Sequence, residues 1–339
     1  MEKPTVYLVE KSTLYDNVDI CGIPFGKLAR HMLGKEAHLV SSPEEVEQTV
    51  GRVVALIYSD TPLVTLRHLD KLSENILEGL ASGYRIGAGY IKKAGAQDGE
   101  LSSKLPFTVT KVESLESLKD IMMQRKYEII ERHLKGGVIF HDPFSVHIDD
   151  SVIIGRGTEI YPMVHIKGKT VIGERVIIYS YCDLEDTVIG DESDLRAVYA
   201  IASKIGKKCT LGPFACLRKG AIIGNNCRVG DFVEVKNSTL EDDVKAAHLA
   251  YIGDSYVGEN TNVGCGAIFA NFDGKVKRSV IVGKDVFIGC NTNLVAPLQI
   301  EDGAYIAAGS TVTQDVPGNA LCIARAKQIV KNKWDRPLK

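Results

Sequence analysis

The chain has 339 residues, and its 41 Lys and Arg residues nearly balance 43 Asp and Glu residues, which gives a net charge of −2. This balance argues against a general affinity for nucleic acid or for an anionic membrane, so any anion site must be local. No apolar run approaches the roughly 20 residues that a membrane span needs, and the N-terminus lacks the apolar core of a signal peptide. We therefore expect a cytoplasmic protein without a membrane span, long enough for two domains.

Residues 1–110 predict a small α/β domain. The apolar stretches VYLV, AHLV and RVVALIY alternate with FGKLARHML, SPEEVEQTV and LRHLDKLSENILEGL, which have helical periodicity. This alternation favours a short sheet covered by helices. Apolar residues spaced from Leu115 to Leu134, followed by Gly136-Gly137, predict a linking helix within residues 111–137.

Residues 138–320 follow a period of six. Aliphatic residues recur at every sixth position from Ile148 to Leu184, and a small or β-branched residue stands four places after each, the last being Val188. With small slips the aliphatic period continues to Val312. Because three hexapeptides form one coil of a parallel β-helix, residues 148–316 predict roughly nine coils. Residues 321–339 are expected to form a C-terminal arm.

The eight cysteines do not have the spacing of a zinc site. Cys182, Cys209 and Cys227 fall at positions where the repeat needs a small inward residue, so we interpret them as reduced core residues. The eight histidines show no ligand pair at helical spacing, so we predict no metal site.

Two cations and one histidine stand beside predicted corners of the coil. Arg218 and Lys236 could hold a phosphate through charge-assisted hydrogen bonds. Ala246 occupies an inward position, so His248, two places later, should point outward and could act as a general base near neutral pH. Each residue alone also fits an ordinary exposed side chain.

Two further segments could form a site. The period breaks at residues 269–281, FANFDGKVKRSVI, which predicts a loop, and coil stacking should bring His248 near Asn271. The C-terminal Ala307-Ala308-Gly309-Ser310 would permit close approach of an extended ligand, and Arg325 could meet a phosphate. A solvated loop and a closely packed last coil are the alternative interpretations.

Taken in order, these motifs resemble the acetyltransferase half of the bacterial bifunctional N-acetylglucosamine-1-phosphate uridyltransferase and glucosamine-1-phosphate acetyltransferase family. The resemblance covers about residues 125–339 and includes GPFACLRKGA, VGDFVEVKNSTL, KAAHLAYIGD, NFDG and YIAAGSTVTQDVPGNALCIAR. It implies a mainly β fold, a left-handed parallel β-helix, assembled as a homotrimer with acetyl-coenzyme A sites between subunits. The implied reaction is acetyl transfer to glucosamine-1-phosphate, a step of UDP-N-acetylglucosamine biosynthesis that needs no Mg²⁺.

The resemblance also implies a role for individual residues. His248 matches the catalytic base, and Asn271 matches the residue that orients the amine and contacts the acetyl donor. The positions that match sugar-phosphate contacts are Arg218, Lys236, Tyr251, Asn262 and Lys277. The positions that match acetyl-coenzyme A contacts, besides Asn271, are Cys265, Phe272, Cys290, Ala308 and Arg325.

The chain departs from the family pattern in two places. Phe272, Cys290 and Ala247 replace a Tyr, a Ser and a Gly, which leaves the preference for the acyl donor open. Residues 1–110 resemble only later pieces of the uridyltransferase domain, with Asp60 at a magnesium-binding position but without the glycine-rich nucleotide loop. We interpret them as a shortened nucleotidyltransferase-like remnant without uridyl transfer. Two alternatives remain: another amino-sugar phosphate or a nucleotide sugar as acceptor, or a non-catalytic trimeric scaffold.

Overall fold

The computed structural model describes residues 3–330 and 332, apart from 11, 36, 44, 45, 47–52, 79, 95, 98, 99, 103, 108 and 110. The chain divides into two compact units. The first contains Met1–Arg132 and Ile148–Asp150, and the second contains His133–His147 and Ser151–Lys339.

The first unit is a mixed sheet with helices. Its elements are β1 Thr5–Val9, β2 Asp19–Ile20, β3 Ile23–Pro24, α1 Phe25–Leu33, β4 His38–Val40, β5 Val53–Tyr58, α2 Leu66–Leu77, β6 Gly83–Ile86 and β7 Gly89–Lys93. The sheet order is β4-β1-β5-β7-β6, with β1 parallel to β4 and β5, and β7 antiparallel to its neighbours. The predicted α/β character is confirmed; most of SPEEVEQTV lies outside the described residues. A further helix, α3, spans Leu115–Lys135.

A hydrophobic core and an ion cluster stabilise this unit. Leu69, Leu72 and Ile76 of α2 are buried in one cluster with the central strand β5. Asp150 pairs with Arg125 at 2.5 Å, His31 at 2.7 Å and Arg132 at 2.8 Å. Burial alone would raise the pKa of Asp150, but these three basic side chains together lower it.

The second unit is a parallel β-helix with three faces, each a stack of short strands. Face 1 contains Ile153–Ile154, Val171–Ile172, Val188–Ile189, Lys204–Ile205, Ile222–Ile223, Thr239–Leu240, Tyr256–Val257, Val280–Val282 and Leu298–Ile300. Face 2 contains Ile139–Phe140, Glu159–Ile160, Ile177–Ile178, Asp194–Leu195, Thr210–Leu211, Arg228–Asp231, Lys245–His248, Asn262–Val263, Phe287–Ile288, Tyr305–Ile306 and Leu321–Cys322. Face 3 contains His147–Ile148, His165–Lys167, Asp183–Glu185, Tyr199–Ile201, Cys216–Arg218, Glu234–Lys236, Tyr251–Gly253, Ile268–Ala270, Asn293–Val295 and Thr311–Val312.

The hexapeptide interpretation of this unit is confirmed, with one local correction. Apart from the half-buried Ile154, the recurring aliphatic residues from Ile148 to Leu184 are buried along a continuous interior, and Cys182, Cys209 and Cys227 are buried free thiols. Val188, predicted to point inward, is instead 44% exposed, and Thr187 takes the interior position. The step from Leu184 to Ile189 is one residue short of six, which moves the inward position back by one.

The break in the period is a loop, as predicted. It leaves the coil after strand Ile268–Ala270 and returns at strand Val280–Val282, and Phe272 pairs with Lys277 across it in an antiparallel bridge. Phe269, fully buried just before the loop, fixes its exit point. Over the described part of the chain, no helix combines the length and the apolar character needed to cross a membrane.

Candidate active site

Three cations converge at the edge of face 3. Arg218 and Lys236 end neighbouring strands in register, and the loop places Lys277 beside Lys236. The neighbouring Lys277 ammonium, and more weakly Arg218, lower the pKa of Lys236. One donor of Arg218 is bound to Glu234 at 2.9 Å, which orients the guanidinium. A cluster of like charges that repel one another is a suitable binding site for a doubly charged anion such as a phosphate.

Next to these cations, Asn271 is held in a fixed orientation. Its side-chain amide donates to Asp254 at 2.5 Å and to the Tyr251 hydroxyl at 3.5 Å, and the residue is only 7% exposed. A Cβ atom at Gly253 would lie 2.4 Å from the Tyr251 hydroxyl and 2.8 Å from the Asn271 amide nitrogen. Glycine is therefore required for these two side chains to meet over the strand. With its amide hydrogens engaged, Asn271 retains its carbonyl oxygen as an acceptor for an amine.

His248 lies at the end of face 2 and pairs with a carboxylate one coil away. Its Nδ1 atom lies 2.5 Å from Oδ1 of Asp231, and the imidazole side chain is 51% exposed. The hydrogen bond to His248 lowers the pKa of Asp231, because it favours the ionised carboxylate. An exposed imidazole with one nitrogen engaged has the arrangement of a general base.

The residues matched to the acyl donor lie at successive corners. Val263 is in register with Ile288, and Ile288 with Ile306, so Cys265, Cys290 and Ala308, each two places later, occupy equivalent positions in three stacked coils. Cys290 and Ala308 are exposed, whereas Cys265 is half-buried. The Arg325 side chain lies over the backbone of Gly309, and Phe272 is exposed on the loop.

The structure brings together part of the predicted set. Arg218, Lys236 and Lys277 cluster, and Tyr251 meets Asn271. Asn262 lies on a strand of face 2, in register with Lys245 and Phe287, whereas Arg218 and Lys236 end strands of face 3. His248 and Asn271, expected to be neighbours, each contact a different carboxylate, Asp231 and Asp254.

Those two carboxylates were missed in the sequence. A signal was available, because Asp231 stands 17 residues before His248 and Asp254 stands 17 residues before Asn271. That separation is close to one coil of three hexapeptides, so each pair occupies stacked positions.

Asp60, at the position matched to magnesium binding, is buried just after β5. No group of three or more His, Cys, Asp or Glu side chains among the described residues is arranged to hold a metal ion.

Known proteins with similar sequences or structures indicate the family of this chain. Residues 202–237 and 279–314 match the family model named bacterial transferase hexapeptide (six repeats). The chain is 39% identical over 313 residues to the bifunctional protein GlmU of Clostridium acetobutylicum, which covers 91% of this chain and 68% of that protein. It is 40% identical over 315 residues to the bifunctional protein GlmU of Clostridioides difficile, with the same coverage. Among solved structures it is similar to Arabidopsis UDP-N-acetylglucosamine acyltransferase, with a TM-score of 0.44, 16% identity and coverage of 55% of this chain and 69% of that one.

Proposed function

The chain belongs to the family of bifunctional GlmU proteins, and from this membership we propose that it transfers the acetyl group of acetyl-coenzyme A to the amine of glucosamine-1-phosphate. The observation that carries the proposal is the convergence of Arg218, Lys236 and Lys277, with an oriented Asn271 beside them. His248, three residues before Tyr251 in the chain, supplies the base. The product is N-acetylglucosamine-1-phosphate.

The acceptor is held through its phosphate. The cations neutralise the two charges of the 1-phosphate, while Glu234 keeps Arg218 from swinging away. Tyr251 and Asn262 complete the contacts with the sugar in this proposal. Fixing both ends of a small sugar brings its amine to one defined position, which lowers the entropic part of the barrier.

In the proposed homotrimer, His248 and Asn271 act on the same amine, although within one copy each contacts a different carboxylate. The amine loses a proton to His248 as its nitrogen forms a bond with the thioester carbon. The Asn271 carbonyl oxygen orients the amine, and a backbone N–H stabilises the developing oxyanion. The carbon–sulfur bond then breaks, and the coenzyme A thiolate takes the proton from the imidazolium. In these steps His248 and the coenzyme A thiolate account for the transferred proton, and no step requires a metal ion.

The donor lies along the stacked corner positions. Cys265, Cys290 and Ala308 form a track of small side chains for the extended arm of acetyl-coenzyme A. Arg325 meets its phosphates at the end of the track, and Phe272 covers it from the loop.

The active form is a homotrimer. Five large apolar side chains are exposed at equivalent corners of the coil, each two places before a strand of face 3 and each with a positive φ: Met163, Tyr181, Phe214, Phe232 and Leu249, with Ala197 at the corner between Tyr181 and Phe214. Phe214 and Phe232 stack at 5.3 Å between ring centroids. Bulky residues are strained at positive φ, and exposing their apolar side chains to water costs additional free energy. A second copy of the chain packed on these side chains would remove the cost of exposure. Leu249 directly follows His248, so this contact would bring a second copy to the base.

The reaction is tested by measuring coenzyme A release from acetyl-coenzyme A with and without glucosamine-1-phosphate. We expect release that depends on the amino sugar and is lost in His248→Ala. Absence of stimulation by this sugar, or full activity of the variant, would reject the assignment. In the same assay, faster turnover of another amino-sugar phosphate or of a nucleotide sugar would show that this compound is the acceptor. The substitutions at Phe272 and Cys290 leave that alternative open. If acetyl-coenzyme A also fails to raise the melting temperature, the chain is a binding scaffold.

The two remaining proposals have separate tests. Phe214→Glu should lower the oligomeric state measured by sedimentation, whereas Ile153→Glu, an exposed residue on face 1, should leave it unchanged. A trimeric Phe214→Glu variant would contradict the proposed interface.

We also propose that the first unit does not transfer uridyl groups. Pyrophosphate formed above background from UTP, Mg²⁺ and N-acetylglucosamine-1-phosphate would refute that.

A further inference from the structure

The contact between His248 and Asp231 is built into the backbone. Strands Arg228–Asp231 and Lys245–His248 have four residues each, whereas the other strands of face 2 have two. Their register extends to the pair Asp231 and His248, and the Leu249 N–H donates to the Asp231 carbonyl oxygen at 2.8 Å. The extra pairing holds both side chains one strand spacing apart, on the outside of the coil.

This extension depends on a close backbone approach. A Cβ atom at residue 230 would lie 1.9 Å from the carbonyl oxygen of Ala247, so only glycine fits there. Gly230 and Ala247 are the residues immediately before Asp231 and His248. The close approach therefore sets the distance between the carboxylate and the imidazole.

The chemistry of the pair determines where the imidazole carries its hydrogen. An ionised carboxylate only accepts hydrogen bonds, so the Nδ1 atom that lies 2.5 Å from Asp231 must donate. In a neutral imidazole the other nitrogen, Nε2, then has a free lone pair. When Nε2 takes up a proton, the adjacent carboxylate stabilises the imidazolium that forms.

We propose that Asp231 is a positioning residue for acetyl transfer: it fixes His248 in the Nδ1–H tautomer, leaves Nε2 as the only basic atom of the ring, and stabilises the imidazolium. This inference rests on the proposed function, in which His248 takes the proton of the amine. Asp231 itself makes no contact with the reacting atoms. It thus differs from the cations and from Asn271, which act on the substrate directly.

The tautomer can be observed directly. The full-length protein, labelled with ¹⁵N in its histidines, should show an Nδ1–H and a bare Nε2 for His248, with the signals assigned by their loss in His248→Gln. In Asp231→Ala the ring should change towards the Nε2–H form that an unpaired imidazole favours. A wild-type ring already in the Nε2–H form, or a tautomer unaffected by the substitution, would overturn the proposal.

Kinetics gives a second, independent readout. Asp231→Ala should lower kcat by about 10- to 100-fold with both KM values nearly unchanged, as for the loss of a group that orients a reactive residue. In a His248→Ala background the same substitution should have no further effect, because the partner it positions is gone. Asp194→Ala, which removes another ion-paired carboxylate from face 2, is the matched control and should keep full kcat. Comparable melting temperatures of the two variants exclude misfolding.

The outcomes separate the two proposals. An active wild-type protein whose kcat survives Asp231→Ala refutes the positioning role and leaves the acetyltransferase assignment intact. A wild-type protein inactive with every acceptor refutes the proposed function and the catalytic use of the pair, whatever the tautomer.

Discussion

Replacement of Gly230 by alanine tests how the candidate base is positioned. The added Cβ atom would lie 1.9 Å from the Ala247 carbonyl oxygen, whereas ordinary van der Waals contact begins at 3.4 Å, so the strands must separate by the difference of 1.5 Å. The atom in the way belongs to the backbone and cannot rotate aside. We expect a cost of about 3 kcal/mol, from overpacking and from weakened hydrogen bonds such as that from Leu249 to Asp231.

Because each coil of a repeat protein contacts only its neighbours, this loss should be local. Hydrogen exchange is the suitable assay: amides that join strands Arg228–Asp231 and Lys245–His248 should exchange roughly 100-fold faster, since 1.4 kcal/mol corresponds to a factor of ten. Amides near the first coils should be unaffected. The kcat should fall as in Asp231→Ala, because the carboxylate moves away from His248.

Gly318→Ala is the control for this substitution. Its added Cβ atom would come no closer than 3.2 Å to any neighbour, so a small adjustment suffices. If Gly230→Ala and Gly318→Ala had the same exchange rates and the same kcat, the close approach would not hold the two strands as we describe, and the positioning of His248 would need another explanation.

Three further predictions test the cations, the ion cluster and the cysteines. Lys277→Met should raise the KM for glucosamine-1-phosphate on the order of tenfold with little change in kcat, while Lys275→Met on the same loop should not, as steady-state kinetics will show. The pKa of Asp150 is lowered in the folded state, so its contribution to stability is present above its ordinary value of 3.8 and is lost as the pH falls through the folded-state pKa. When acid unfolding is monitored by the helical circular dichroism signal, the transition should therefore depend less steeply on pH in Asp150→Asn than in the wild type. Burial raises the pKa of Cys182 to about 12, so iodoacetamide at mildly alkaline pH should spare it and alkylate the exposed Cys290, as mass spectrometry can detect.

The repeat unit could be predicted because its signal is periodic and its cause is simple. Every coil must place an aliphatic side chain inside at each face, so the pattern persists through slips in the count. The one error, Val188 for Thr187, arose where a coil is shortened and the rule of four places no longer holds. The loop after Phe269 was equally visible, since residues that leave the wall interrupt the period.

The site could be predicted only residue by residue. The family resemblance implied that Arg218, Lys236 and Lys277 contact one sugar-phosphate, but the hexapeptide period alone did not show that the loop sets Lys277 beside Lys236. It indicated His248 as a base but not its partner, because a carboxylate 17 residues earlier has meaning only once the coil length between those two positions is known. Contacts between coils depend on register, which slips of a single residue change.

The same register provides both stability and function in this fold. Corner side chains pair from coil to coil: Asn237 donates to Asp254 at 2.8 Å, and Asn260 donates to Asp285 at 2.7 Å. Asp254 also accepts from Asn271 at 2.5 Å, so a ladder that stabilises the coils continues directly into the candidate site. A β-helix can therefore acquire a positioned side chain by placing a reactive residue one coil away from a carboxylate that already has a structural role. These carboxylates are positioned by contacts between coils, so a motif read along the chain does not reveal them.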